Sequence, residues 1–258
     1  MGIPKKSGNR YGARFARMAV AAGLTLVLGG CAMATTSPGE AREAAEPVVL
    51  VGAGTVDCRE ATCIALTFDS SPGTNTPELL DILRDEEVPA TFFLLGRNRI
   101  EKYPDIVRRI ADEGHEVANH TWTHPRLTEI EPDEIREELV RTQEAIAEIT
   151  GEEPTLMRPP QGRTNDTVSE ISRELGLAQI LWSVTAKDYA TTDSDLIESR
   201  VLEQADRDGI ILLHDIYDGT VPAVPGIIEK LKAEGYTFVT VSDLMAPAVP
   251  EPGVIYRP

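Results

Sequence analysis

From residue 63 onward the chain alternates short apolar runs with amphipathic helical stretches, and that alternation leaves few folds open. Cys63-Ile-Ala-Leu-Thr-Phe-Asp69 is an apolar run ending in a polar turn, the pattern of a buried strand. Thr76 to Glu86 follows with helical spacing: Leu79, Leu80, Ile82 and Leu83 on one side, charges on the other. Thr76 suits an N-cap, with Pro77 at the first helical position. The same reading predicts strands over 90–95, 115–119, 155–158, 179–184, 210–214 and 236–241. It predicts helices over 104–113, 131–150, 165–175, 194–208 and 222–234, several of them stopped by a glycine such as Gly114, Gly151 or Gly176. Strands apolar on both faces, each followed by a helix, imply a parallel sheet covered by helices. Seven of them point to a barrel more than to an open sheet.

Charge removes one class of function. Lys and Arg number 25 against 42 Asp and Glu, a net charge of −17. So acidic a chain is poorly suited to neutralising nucleic-acid phosphates. No GxGxxG and no phosphate loop is present, so nucleotide binding has no support.

The first thirty residues read as a separate object. Lys5, Lys6, Arg10, Arg14 and Arg17 precede an apolar run, Met18 to Leu28, with no acid between them. A basic head, a short apolar stretch and small residues describe an export signal. Eleven apolar residues span only about 16 Å as a helix, half of a bilayer core, which argues against a permanent membrane helix. No Arg-Arg pair indicates a twin-arginine route. Leu28-Gly29-Gly30-Cys31 resembles the bacterial lipobox, in which the chain is cut before the Cys and the Cys carries lipid. Ordinary secretion with an incidental Cys is the alternative. Residues 31–54 are then a flexible, lipid-anchored tether, residues 55–246 the folded domain, and residues 247–258 a loose Pro-rich tail. Cys58 and Cys63 remain, five apart. An oxidising compartment lets them close a small disulfide ring; a two-Cys zinc site, the other reading, lacks further cysteines.

In parallel α/β folds, chemistry collects where strands end. Here the predicted strand ends lead to Asp69, to His120 and His124, to Arg158, to Asp188 and to His214. Three of only four histidines fall at these positions; the fourth, His115, lies within a strand and reads as structural. On one helical turn His120 and His124 could grip a single divalent ion. A third oxygen ligand would complete a hydrolytic zinc site with a position open for water.

Five strings, in order, resemble the motifs of the polysaccharide deacetylase family, the NodB-homology group of carbohydrate esterases. They are Thr67-Phe68-Asp69-Ser70-Ser71-Pro72, His120-Thr121-Trp122-Thr123-His124, Arg158-Pro159-Pro160-Gln161-Gly162, Thr185-Ala186-Lys187-Asp188-Tyr189 and Leu212-Leu213-His214. The resemblance covers about residues 55–245. It implies an α/β fold of one domain, a distorted (β/α)7 barrel. It also implies a metal-dependent hydrolase removing acetyl groups, mostly from N-acetylglucosamine in cell-wall or chitin-like glycans. By the same resemblance His120 and His124 hold a divalent metal, most simply zinc, and Asp69 is the general base with Arg158 pairing and orienting it. His214 protonates the leaving amine, Asp188 raising its pKa. The backbone N–H of Gln161 meets the oxyanion, Leu212 lines a pocket for the acetyl methyl, and Tyr189 keeps an aromatic wall.

The match departs at the third metal ligand, where Ser70 replaces the family's second Asp and Ser71 its Gly. A neutral hydroxyl is a poor zinc ligand, so the metal site is expected to be weakened. Thr185 and Tyr189 also replace an Asp and a Trp, and Gln161 a common Tyr. Two readings of function follow: a working deacetylase with a remodelled metal site, or a catalytically impaired glycan-binding lipoprotein. A serine esterase using Ser70 or Ser71 finds no Gly-x-Ser-x-Gly elbow. The partners expected are an acetylated polysaccharide, peptidoglycan favoured, and a membrane through Cys31. The chain is expected to be a monomer, exported and facing the cell wall.

Overall fold

Strand β1 (Thr62–Ser71) pairs in parallel with three neighbours, and its pattern explains the layers of the molecule. Ile64, Leu66 and Phe68 belong to one apolar cluster and Cys63 and Ala65 to another, as the two-residue period of a strand requires. The computed structural model describes Met1, Gly2 and residues 33–45 and 56–258. The predicted leader beyond Gly2, Cys31, and residues 46–54 of the expected tether lie outside them. Met33–Pro258 forms one unit.

The remaining strands are β2 (Thr91–Leu94), β3 (Glu116–Asn119), β4 (Leu156–Met157), β5 (Ala178–Ile180), β6 (Val184–Thr185), β7 (Gly209–Leu213), β8 (Tyr236–Val239) and β9 (Ile255–Tyr256). They follow the order β6-β7-β1-β2-β3-β4-β5-β9, with β8 on the lower half of the β1 edge that β2 occupies above, and every ladder among them is parallel. The helices are α1 (Pro38–Ala44), α2 (Thr76–Asp85), α3 (Pro104–Asp112), α4 (Pro132–Thr150), α5 (Asp166–Glu174), α6 (Ser194–Leu202), α7 (Thr220–Ala233) and α8 (Val241–Met245). This curled parallel sheet with helices on it, one α/β domain, agrees with the (β/α)7 barrel class expected.

The outer cluster joins Ile64, Leu66, Phe68, Phe92, Leu94, Ile211 and Leu213 to the apolar faces of α2, α3, α6 and α7. The inner cluster fills the lumen with Ala65, Phe93, Ala118, Leu156, Ala178, Ile180 and Ile210, and α8 closes it with Val241, Leu244 and Met245. The same period then lifts polar residues into the mouth. Two residues past Ala118 is His120, and two past Leu156 is Arg158. Ile210 leads by twos to Leu212 and His214, and Ala65 to Thr67 and Asp69.

The helix expected over 194–208 ends at Leu202, Asn75 instead of Thr76 is the N-cap of α2, and three larger expectations also differ from the structure. The single strand predicted over 179–184 is two. Leu181 N–H still donates to Tyr256 O at 2.8 Å, and two residues later Ser183 N–H donates to Ile210 O at 3.2 Å. The chain thus crosses from the β9 edge to the β7 edge and links the two ends of the curled sheet. Residues 247–258 are not a loose tail: Gln179 and Ile180 pair with Ile255 and Tyr256, and Thr36 bridges to Tyr256. Nor is residues 31–54 flexible throughout. Ser37 caps α1, accepting from Glu40 N–H while Glu40 accepts from Ser37 N–H. Arg42 of α1 is buried, paired with Asp208 at 2.8 Å and donating to Leu244 O at 2.8 Å. Cys58 and Cys63 form the disulfide.

Candidate active site

Arg158 is the largest fully buried side chain among the described residues. Nη1 donates to Asp69 Oδ1 and to Thr67 Oγ1, both at 2.7 Å, and Nε to Ile180 O at 3.0 Å. Its plane lies over Phe93 at 4.0 Å and near Trp182 at 5.6 Å. A guanidinium so enclosed orients the carboxylate it meets. Asp69 Oδ2 is left toward His120, 3.7 Å from Nε2.

His120 Nδ1 lies 2.8 Å from Arg158 O. A carbonyl only accepts, so Nδ1 carries the proton and Nε2 keeps its lone pair. Burial, partly opposed by the charge of Asp69, pushes the His120 pKa down to about 4. His124 stands with its ring centroid 4.9 Å away, its pKa also lowered by burial. The loop carrying both is held from two sides. Asn119 Oδ1 accepts from Thr121 N–H at 2.8 Å, and Thr121 Oγ1 from His124 N–H at 3.1 Å. Glu138 of α4 accepts from Trp122 N–H, Thr123 N–H and Thr123 Oγ1 at 2.9, 2.7 and 2.6 Å. Thr121 and His124 both take positive φ, 69° and 63°, a conformation this bracing sustains. Gly96 makes room for the loop: a Cβ there would stand 1.9 Å from the Trp122 ring.

On the opposite side, Asp188 is buried and fully engaged. Oδ1 accepts from His214 Nδ1 at 2.9 Å and Tyr189 N–H at 3.1 Å; Oδ2 accepts from His214 N–H at 2.6 Å and Thr220 Oγ1 at 2.9 Å. Burial disfavours a charge on His214. The hydrogen bond and charge of Asp188, with the more distant charge of Asp69, outweigh it, so the His214 pKa is raised. His214 Nε2 is left to exchange a proton.

Ser70 occupies a bulge. The β1–β2 register shifts between Asp69 and Ser71, and Ser70 has φ 62°. Strict alternation would send Ser70 outward with Phe68, and the bulge interrupts it. Ser71 is engaged elsewhere: its hydroxyl donates at 2.7 Å to Asp215 Oδ1, and Thr76 Oγ1 donates to Oδ2. Asp215 is buried, which raises its pKa. Gln161 sits at φ 58° and its N–H donates to no acceptor among the described residues, while its Oε1 accepts from Arg126 at 3.2 Å. Leu212 is buried below His214. Tyr189 is 56% exposed. Its ring stands edge-on to His214, centroids 6.1 Å apart, as does that of Tyr217 at 5.5 Å. Cys31 lies outside the described residues.

The donor chemistry bears on a metal. Two neutral imidazoles with a free ring nitrogen suit a divalent cation, and the His120 tautomer is fixed for it. No third His, Cys, Asp or Glu joins them in a metal-binding group among the described residues. By the sequence resemblance, the position expected to complete the set is Ser70, a neutral hydroxyl. The residues fit a cation as a pair, without an anionic partner of their own.

The polysaccharide deacetylase family model matches residues 57–180. The structure of the peptidoglycan deacetylase PdaC from Bacillus subtilis is 40% identical, with a TM-score of 0.69, over 73% of this chain and 92% of that one. The chain belongs to the polysaccharide deacetylase family. Peptidoglycan-N-acetylglucosamine deacetylase PgdA of Listeria monocytogenes is 41% identical over 182 residues, 70% of this chain and 38% of that protein. The chain thus spans well under half the length of that relative. Two mutant structures of a CE4 family pseudoenzyme, one with restored enzymatic activity, are 31% identical over 72% of this chain and 68% of those, with TM-scores of 0.69 and 0.68. Glu138 and Tyr217 escaped the sequence reading. Glu138 is one of many acids along α4, and only the loop folding back onto that helix distinguishes it.

Proposed function

We propose that this chain hydrolyses the N-acetyl group of N-acetylglucosamine units in a cell-wall polysaccharide, with peptidoglycan as substrate. The observation that carries the reading is the opposition of two built pairs, Asp69 with Arg158 and His214 with Asp188, across a mouth that also holds His120 and His124. A divalent cation, zinc being the simplest, held by His120 and His124 would polarise the acetamide carbonyl and acidify a water. Asp69 Oδ2, the oxygen that Arg158 leaves free, takes the proton from the attacking water. The Gln161 N–H is the donor open to the developing oxyanion. His214 Nε2 gives a proton to the leaving amine, and Asp188 holds that imidazole charged and aimed. Leu212 bounds the space for the acetyl methyl, and Tyr189 walls the sugar.

A second reading keeps the groove and loses the turnover: a glycan-binding protein whose cation is held too weakly. Ser70 favours it, and so does the similarity to a pseudoenzyme. The hydrolase is preferred because binding a sugar alone requires neither the buried Arg158–Asp69 pair nor the His214–Asp188 pair. Export, a lipid on Cys31 and a position facing the wall accompany the proposal and rest on the lipobox string; the chain acts as a monomer. Acetate release from N-acetylglucosamine oligomers and peptidoglycan, measured with chelator and with added zinc, decides between the readings. Release by the wild type that His214→Ala abolishes, metal binding being kept, supports the hydrolase. No release from any of these substrates with any divalent ion leaves the binder.

A further inference from the structure

Two cations in the turn that borders the histidine loop have no part in the chemistry above. Arg97 and Arg99 lie in the turn after β2, and backbone hydrogen bonds tie that turn to the site. Gly96 N–H donates to Thr121 O at 3.1 Å, Arg97 N–H to Trp122 O at 2.7 Å, and Leu95 N–H to Ser71 O at 3.0 Å. The turn is therefore fastened to the histidine loop and to the bulge that carries Ser70. Arg99 reaches toward the exits of β1 and β7. A carbon built on Gly73 would stand 3.5 Å from Arg99 Nη1 and 2.9 Å from Ile216 Cγ2. Its charge reaches Asp215 and Tyr217, on either side of Ile216.

Neither guanidinium makes a hydrogen bond, and neither has a carboxylate within 4.0 Å, among the described residues. The arginines of the mouth are paired: Arg158 with Asp69, and Arg126 and Arg163 with Glu129. Acids outnumber bases in this chain, 42 to 25, so partners are not scarce. Arg99 is moreover half-buried. A partly desolvated cation without a partner is unfavourable alone and becomes favourable when an anion arrives.

We propose that Arg97 and Arg99 form an anion subsite for a carboxylate carried on the glycan next to the sugar being deacetylated, so that the protein selects an acidic glycan over a neutral one. The inference rests on the deacetylase reading and gives it a substrate class. A muramic-type sugar, with its ether-linked carboxylate, has the chemistry required, and a chitin oligomer lacks it.

The experiment compares a peptidoglycan fragment bearing free carboxylates with the same fragment methyl-esterified. Calorimetric Kd is measured on the full chain with chelator and with zinc, and acetate release in parallel. The free acid should bind about tenfold tighter, the worth of one charged hydrogen bond. Raising the salt should shrink that preference. In the double variant Arg97→Gln, Arg99→Gln, with wild-type thermal melting, the ratio of the two Kd values should fall toward one. Should that variant not fold, the wild-type salt series and the single variants Arg97→Lys and Arg99→Lys, which keep the charge and should keep most of the preference, decide. Equal Kd values for the two fragments, binding of neither, or a ratio unmoved in the double variant overturns the proposal. Preferential binding without acetate release from either fragment counts against the hydrolase and leaves the anion subsite standing.

Discussion

Arg158 grips one oxygen of Asp69 at 2.7 Å and leaves the other 3.7 Å from His120 Nε2. One residue thus joins the proposed base to the proposed metal-binding pair, its side chain on Asp69 and its backbone carbonyl accepting from His120 Nδ1. Asp69→Asn keeps the volume and an acceptor for Arg158 but cannot take a proton. Turnover should drop by about 10²–10⁴-fold, with unchanged affinity for zinc within a few-fold. Steady-state kinetics beside a zinc competition titration reads both, and a variant within tenfold of wild-type turnover removes Asp69 from the base role.

The His214–Asp188 pair sets a pH limit. His214 must be protonated to act as an acid, and its pKa is raised, so activity should persist above the ordinary imidazole range and fall only as pH passes the raised value. In Asp188→Asn burial still opposes the charge while the carboxylate no longer supports it. The alkaline limb of kcat should therefore move to lower pH, by roughly one to three units. A limb in the same place would mean that another group governs it.

Acid should loosen the metal-free protein through the opposite shift. The His120 pKa is pushed down to about 4 and that of His124 is lowered, both by burial. The unfolded chain then binds protons that the folded one refuses, so stability falls as pH drops from about 6.5 toward 4. His214, raised, works the other way: its contribution is full below about 6.5 and fades as pH rises through its folded pKa. Denaturant unfolding in chelator at pH 7 and pH 5 should show a smaller loss for His120→Gln than for wild type. Equal losses would contradict a buried, neutral His120.

Glu138 takes three hydrogen bonds from the histidine loop without reaching the mouth's chemistry itself. Glu138→Ala should release the loop and weaken zinc binding by about 10–100-fold. The alkaline limb set by His214 should stay where it is. Unaltered zinc affinity would mean that Asn119 and Thr121 suffice to hold the loop.

Much of this was readable along the chain because β-strands alternate. Apolar runs mark the strands, and the charged and imidazole residues at their ends mark the mouth, which is how Asp69, His120, Arg158 and His214 are grouped from sequence. What escaped depended on pairing at a distance. Ile255 and Tyr256 lie among prolines, in an apolar run no longer than Val254 to Tyr256, and form a strand only because β5 and Thr36 flank them. The break at Leu181–Ser183 left no mark in an apolar stretch, since the chain changes partners there without changing character. Nothing in the sequence distinguishes Arg97 and Arg99 from solvated charges; only the backbone hydrogen bonds of their turn place them beside the histidine loop.

The account turns on whether two imidazoles hold a cation well enough to work where Ser70 supplies no charge. Acetate release from peptidoglycan, followed across a zinc titration for wild type and Ser70→Asp side by side, addresses that directly. The prediction is saturable, zinc-dependent release by the wild type, with the half-saturating zinc concentration lower by about tenfold or more in Ser70→Asp and turnover higher. A wild type inert at every zinc concentration would contradict the account, whether or not Ser70→Asp is active.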